Sequence, residues 1–179
     1  MKVVVHICCA VCAAGVIERL ASEGHEILGL FYNPNIHPRE EYDRRLDAAR
    51  RVAREFNFPL EVGPYDPERW LIETASLKDE PEGGRRCEVC FRLRLEKTYL
   101  YLQDCGADAF TTTLTVGPRK PAAIINRVGE ETGGGRFLVR DFKKKAGFQR
   151  ATELARKLGL YRQNYCGCIY SMRRAGERG

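Results

Sequence analysis

Short apolar runs alternate with helix-compatible segments along this 179-residue chain. Residues 2–7, 26–32, 60–62, 109–113 and 137–140 read as strands, rich in Val, Ile, Phe and Thr. Between and after them, residues 13–22, 39–56, 67–74, 88–103, 121–131 and 152–158 carry helical spacing. The second of these helices is the clearest. Tyr42, Leu46, Ala49, Ala53 and Phe56 form one stripe, and arginines and acids fill the opposite face. Strands that alternate with helices are joined by crossovers and so lie parallel. The expectation is an α/β fold: one domain over residues 1–179, with a parallel Rossmann-like sheet, helices on both faces and a cysteine-containing C-terminal tail.

In such sheets ligands gather at the carboxyl ends of the strands. Cys8-Cys9 ends the first strand, Asn33-Pro34-Asn35 the second and Thr111-Thr112-Thr113 the fourth. The cysteines themselves are grouped: Cys8, Cys9 and Cys12; Cys87 and Cys90; Cys166 and Cys168. Cys105 stands apart and reads as a core thiol. A buried structural thiol behaves as a small apolar group and has no reason to cluster. Thiols one to three residues apart hold a metal or an iron–sulfur cluster, or exchange electrons.

Cys9 and Cys12 share one face of a first helical turn. Cys87 and Cys90 repeat the arrangement at another helix start, beside Arg85 and Arg86. A helix N-terminus favours anions and is expected to lower the thiol pKa values there. Two such pairs supply four thiolates, which suits either a structural zinc or a [4Fe–4S] cluster; spacing does not separate them. A closed zinc site would leave Cys12 idle. Cys166-Gly167-Cys168 is too tight for both sulfurs to bind one metal easily, so a strained reducible disulfide or a thiol relay is expected. His6 reads as a satisfied core histidine and His25 as a turn residue. His37 is the histidine expected to line the site.

The formal net charge is +6. The excess is local, in Arg85-Arg86 with Arg92, Arg94 and Lys97, in Arg119-Lys120, in Lys143-Lys144-Lys145 and in Arg173-Arg174. Basic clusters suit a polyanion, and their closeness to the cysteines favours RNA over a merely solvated helix face. No apolar run approaches the ~20 residues of a membrane span. Residues 1–5 are too short for a signal-peptide core and read as the opening strand. A reducing cytoplasm is expected, where Cys-x-x-Cys means metal or redox chemistry.

Several stretches together resemble the QueH family of epoxyqueuosine reductases. They are 6–12, 32–38, 82–90, 110–114, 141–147 and 159–168, in the family's order and across nearly the whole chain. The resemblance implies the last step of queuosine biosynthesis, removal of the epoxide oxygen of epoxyqueuosine at the wobble position of a tRNA with a GUN anticodon. It implies a HUP-like (adenine nucleotide α-hydrolase-like) sheet, a [4Fe–4S] cluster and an additional mononuclear iron. On the matching positions, Cys8, Cys9, Cys87 and Cys90 would hold the cluster and Cys12 the second metal, with Cys9 and Cys12 at the reacting centre. Cys166 and Cys168 would be redox-active. Asn33, Asn35, His37, Thr111, Thr112, Thr113 and Lys120 are the candidates for substrate contact. Two positions depart from the family pattern: Val11 stands where Pro is frequent, and Gly117 precedes Pro118 where a serine is usual. The family's Asp-or-Cys position holds Cys12.

The chain carries no G-x-G-x-x-G opening a helix after a strand, so reducing equivalents are expected from an external donor such as a ferredoxin-like protein. Three rival readings exist. An ATP-pyrophosphatase-type tRNA thiolase needs a glycine-rich Ser-Gly-Gly-x-Asp-Ser loop after the first strand, where this chain has cysteines. A zinc-stabilised RNA-binding module would explain the thiols without catalysis. A thioredoxin-like dithiol would explain Cys9 and Cys12 but not Cys8, Cys87 or Cys90.

Overall fold

The central strand carries three consecutive valines, Val3, Val4 and Val5, all fully buried. Burying side chains of this size is worth about 1.5–3 kcal/mol each. Alternation along the strand sends Val3 and Val5 into one apolar layer and Val4 into another. A strand apolar on both faces must be covered on both, and the computed structural model shows how. It describes the backbone of residues 1–176 and the side chains of residues 1–172. The Arg173-Arg174 side chains therefore lie outside the described residues.

Four parallel strands form the sheet, in the order β3-β2-β1-β4. They are β1 (Lys2–His6), β2 (Glu26–Phe31), β3 (Leu60–Val62) and β4 (Ala109–Thr112). β1 is central, pairing Val3 with Ile27 on one side and with Ala109 on the other. α1 (Ala10–Ser22), α2 (Arg39–Glu55) and α6 (Gly147–Lys157) pack over the face of Val3 and Val5. α4 (Arg85–Cys105) and α5 (Ala122–Gly133) cover the face of Val4. α3 (Pro67–Thr74) and α7 (Ile169–Gly176) contribute Trp70 and Tyr170 to a smaller apolar cluster with Cys90, Leu93 and Cys168. That satellite core ties the C-terminal segment to the start of α4.

The expected strand at 137–140 does not form. A single bridge pairs Phe137 with Phe110, and Leu138 N–H donates to Phe110 O at 2.8 Å. The chain enters this stretch from the helical turn Gly134–Arg136, and Val139 is 45% exposed. An edge segment with so little to bury has nothing to hold a longer ladder. No helix among the described residues is long and apolar enough to cross a membrane.

Candidate metal centre

The carboxyl ends of β1, β2 and β4 meet, as expected, at the thiols. Cys9 caps α1, and its sulfur accepts from Cys12 N–H at 3.5 Å. This capping role brings the sulfurs of Cys8, Cys9 and Cys12 within 4.8 Å of one another, a group able to hold a metal ion. Beneath them the strand ends are held by hydrogen bonds. Cys8 N–H donates to Thr113 Oγ1 at 3.0 Å, and the same hydroxyl donates to Cys8 Sγ at 3.2 Å. His6 Nε2 lies 3.1 Å from Tyr32 O, and Nδ1 lies 2.9 Å from Thr112 Oγ1. A carbonyl only accepts, so the proton sits on Nε2 and Thr112 donates to Nδ1. Burial, then the nearby Arg94 charge, lowers the His6 pKa to about 3. His6 is thus the satisfied core histidine that the sequence suggested.

A second set of thiols surrounds the start of α4. Cys87, Cys90, Cys166 and Cys168 line one small void together with Trp70 and Arg94. Cys87 Sγ accepts from Gly83 N–H at 3.2 Å. The segment carrying Cys166 and Cys168 is drawn in from far along the chain. Gly167 O accepts from His37 N–H at 2.8 Å, and Arg45 donates to Tyr165 O and Cys166 O. Gly167 has φ +117°, and a Cβ there would stand 2.9 Å from the Arg45 guanidinium. Only glycine fits that turn. All eight cysteines are free thiols. Cys166 and Cys168 are not joined to each other: Lys120 Nζ donates to Cys166 Sγ at 2.8 Å, and Cys168 Sγ lies 3.3 Å from Ser171 Oγ.

The two sets adjoin. A cavity of about 90 Å³ over Cys8, Cys9 and Cys12 also has Arg94, Lys120 and Cys166 in its wall, and those three reach the second void as well. It continues into a more open cavity of about 250 Å³, with which it shares Cys12, Gly117, Lys120, Gln163 and Cys166. Grouped by geometry, Cys8 and Cys9 sit with Cys12, while Cys87 and Cys90 sit with Cys166 and Cys168. The second grouping joins residues some 80 positions apart and had no signal in the spacing beyond the glycine between the last two cysteines.

Burial at Cys87 and Cys90, and hydrogen bonds among the sulfurs of Cys8, Cys9 and Cys12, govern these thiols more than the helix termini do. Desolvation raises the Cys87 pKa, and raises that of Cys90 to about 11. Hydrogen bonding to Cys12 pulls Cys8 down, but the adjacent Cys9 sulfur and burial push it up to about 12. Cys12, hydrogen-bonded to Cys8 and Cys9, is held well above the ordinary thiol value, while Cys9, accepting from both, is held well below it. Desolvation opposes ionisation of Cys166, yet the Lys120 ammonium outweighs it and keeps that thiol low. The general lowering expected from two helix starts is therefore confined to Cys9 at the α1 cap.

The expected substrate contacts divide. Asn33 and Asn35 are buried in the wall of the inner cavity, Asn33 donating to Ile7 O, while Asn35 Oδ1 has no partner among the described residues. Lys120 lines both cavities. His37 is half-buried, with Nδ1 on Asn35 O and its ring 5.6 Å from Trp70, and it lines neither cavity. Thr111, Thr112 and Thr113 are buried, and their hydroxyls bond Leu138 O, His6 and Cys8 respectively. They brace the floor and line neither cavity. Arg94 was missed. Only 3% exposed, it donates to Cys90 O and has no carboxylate partner among the described residues. In the sequence it stood only as one member of a basic cluster suited to RNA.

Fold and thiols together define a parallel α/β protein with a thiol centre at its strand ends, able to hold metal. The family model for epoxyqueuosine reductase QueH matches residues 3–174, and the chain belongs to that family. It is 37% identical to the epoxyqueuosine reductase QueH of Streptococcus pyogenes serotype M1, over 98% of this chain and 72% of that protein. It is 36% identical to the protein of the same name from Thermotoga maritima, over 98% of this chain and 93% of that one. Among solved structures, the U34-tRNA thiolase NcsA from Methanococcus maripaludis with its [4Fe-4S] cluster aligns over 99% of this chain and 71% of its own. The TM-score is 0.47 and the identity 11%, too distant to carry an argument.

Proposed function

We propose that this chain reduces epoxyqueuosine to queuosine at the wobble position of a tRNA with a GUN anticodon. Family membership over residues 3–174, joined to seven free thiols beside one continuous cavity, carries the reading. The reaction consumes two electrons and two protons and turns an epoxide into an alkene and water. With no nucleotide-cofactor loop in the chain, the electrons come from an external donor, a ferredoxin-like protein.

The residues fit an iron–sulfur centre. Neighbouring sulfurs push Cys8 and Cys12 towards the neutral thiol and burial does the same to Cys87 and Cys90, and a bound soft cation would offset both by favouring the thiolates. Cys87, Cys90, Cys166 and Cys168 would hold the [4Fe–4S] cluster, and Cys8, Cys9 and Cys12 the additional iron. This regroups the ligand set that the sequence motifs imply. When bound, the metals supply single electrons and an open coordination position for the epoxide oxygen.

The chain's own groups supply the rest. Lys120 Nζ, at the junction of both cavities, holds a proton where the oxygen departs. Asn33 and Asn35 flank the inner space, sized for a small ring. Arg119 and Arg162 at the outer cavity suit the phosphates of an RNA loop whose wobble nucleotide has left its stack.

Anaerobic reconstitution tests the reading. We expect iron in excess of acid-labile sulfide, and conversion of epoxyqueuosine-tRNA by mass spectrometry with a chemical reductant. Protein that takes up only zinc and leaves the tRNA unchanged would sink it.

A further inference from the structure

Glu82 is the acidic residue in the wall of the outer cavity, where Phe148, Gln163, Asn164, Lys120 and Arg162 also stand. No hydrogen bond or ion pair joins it to another described residue, despite the cations around it. Its presentation is built into the fold. The buried Arg86 guanidinium donates to the carbonyls of Leu77, Lys78 and Glu80 just before it. The Glu80 carboxylate accepts from Arg85 N–H and Nε, and Gly84 N–H closes the turn onto Pro81 O. A short turn pinned on both sides thus holds a free carboxylate at the mouth of a base-sized space.

We infer that Glu82 reads the Watson–Crick edge of a guanine-type base drawn into this cavity. The inference rests on the chain's acting on a wobble nucleotide. A carboxylate only accepts hydrogen bonds. Guanine offers two adjacent donors, the ring N1–H and the exocyclic amine; adenine and cytosine offer a ring acceptor beside their amine, and uracil a single N–H between carbonyls. A 7-deazaguanine keeps guanine's edge intact, because the replaced atom lies on the other ring. Phe148 supplies an apolar face for stacking, which is indifferent to base identity. Specificity therefore falls to Glu82, and the inner cavity is left for the substituent at position 7 of the base.

The test uses reconstituted protein under anaerobic conditions and synthetic anticodon stem-loops with guanosine or inosine at the wobble position, read by fluorescence anisotropy. Inosine lacks only the exocyclic amine. A hydrogen bond to a charged acceptor predicts that the natural chain prefers the guanosine hairpin by about tenfold or more. Glu82→Gln should bring that ratio towards one, weakening the guanosine complex more than the inosine complex, which shares only the N1–H bond. Phe148→Ala should weaken both hairpins alike and keep the ratio. Equal binding of the two hairpins by the natural chain overturns the inference. So does a Glu82→Gln variant that keeps the preference, or one that loses both hairpins equally. Turnover of epoxyqueuosine-tRNA is measured separately: discrimination without turnover would leave the edge reading standing and remove the reductase reading.

Discussion

Arg45 Nε lies 2.7 Å from Glu41 Oε1, with both side chains buried in α2. The pair does not stand alone. Arg45 also donates to Tyr165 O and Cys166 O, and Glu41 Oε2 accepts from Tyr161 O–H at 2.8 Å. One helix turn thereby fixes the segment that brings Cys166 and Cys168 to α4. Replacing Arg45 by Met leaves a buried carboxylate without its cation and two carbonyls without a donor. Breaking a buried pair in this way costs about 3–5 kcal/mol. We expect that loss in urea denaturation of the metal-free protein, with early proteolysis near residues 161–168. Arg39→Met, on the exposed side of the same helix, should leave the unfolding midpoint unchanged.

Gly15 faces Ala151 where α1 crosses α6. A Cβ on Gly15 would stand 2.9 Å from the Ala151 Cβ, which belongs to a fully buried residue. The helices can approach this closely only without a side chain there. Gly15→Val should cost about 1–3 kcal/mol by overpacking, although valine is the better helix former. Equal or higher stability of the variant in denaturant titration would show that α6 yields freely.

The sheet was legible because its two inner strands are apolar on both faces and end in recognisable chemistry. Val3, Val4 and Val5 read as part of a strand, and Cys8-Cys9 had to lie at its carboxyl end. The stretch at 137–140 misled because a short apolar run says nothing about whether a neighbour covers it. Thr111 to Thr113 were read as substrate contacts, since hydroxyls at a strand end often are; here the backbone and His6 consume them. The grouping of Cys166 and Cys168 with Cys87 and Cys90 was beyond reach. It depends on Arg45 and on Gly167 at positive φ, a three-dimensional arrangement with no periodic trace in the chain.

Thr113, the first residue after β4, positions Cys8. Its hydroxyl both accepts from Cys8 N–H and donates to Cys8 Sγ. Thr113→Val keeps the shape and removes both bonds, stranding an amide in the interior at a cost of about 1–3 kcal/mol. Outer-shell groups of this kind change metal affinity by about 10–100-fold. We expect weaker cobalt(II) binding, seen as reduced sulfur-to-metal charge-transfer absorbance, while Thr111→Val lowers stability without that spectral change. Identical cobalt affinity in Thr113→Val would assign the hydroxyl to folding alone.

Glu18 and Arg150 clip α1 to α6 across 132 residues of sequence, with two hydrogen bonds of 2.6 and 2.8 Å. Hydrogen bonding to Arg150 lowers the Glu18 pKa from its ordinary 4.5. The sign follows from which state holds the proton. The unfolded chain protonates Glu18 at a higher pH than the folded one does. The clip's contribution is therefore complete above the ordinary value, and is lost as pH falls through the lowered one. Both groups are substantially exposed, so salt screens the pair and the effect is small. Comparing the natural chain with Glu18→Gln in thermal melts should give a gap at neutral pH and low salt. That gap should narrow as the pH drops below 4.5, and narrow also when salt is added at neutral pH. A gap that persists unchanged in acid would mean that Glu18 stabilises α1 by packing rather than through its charge.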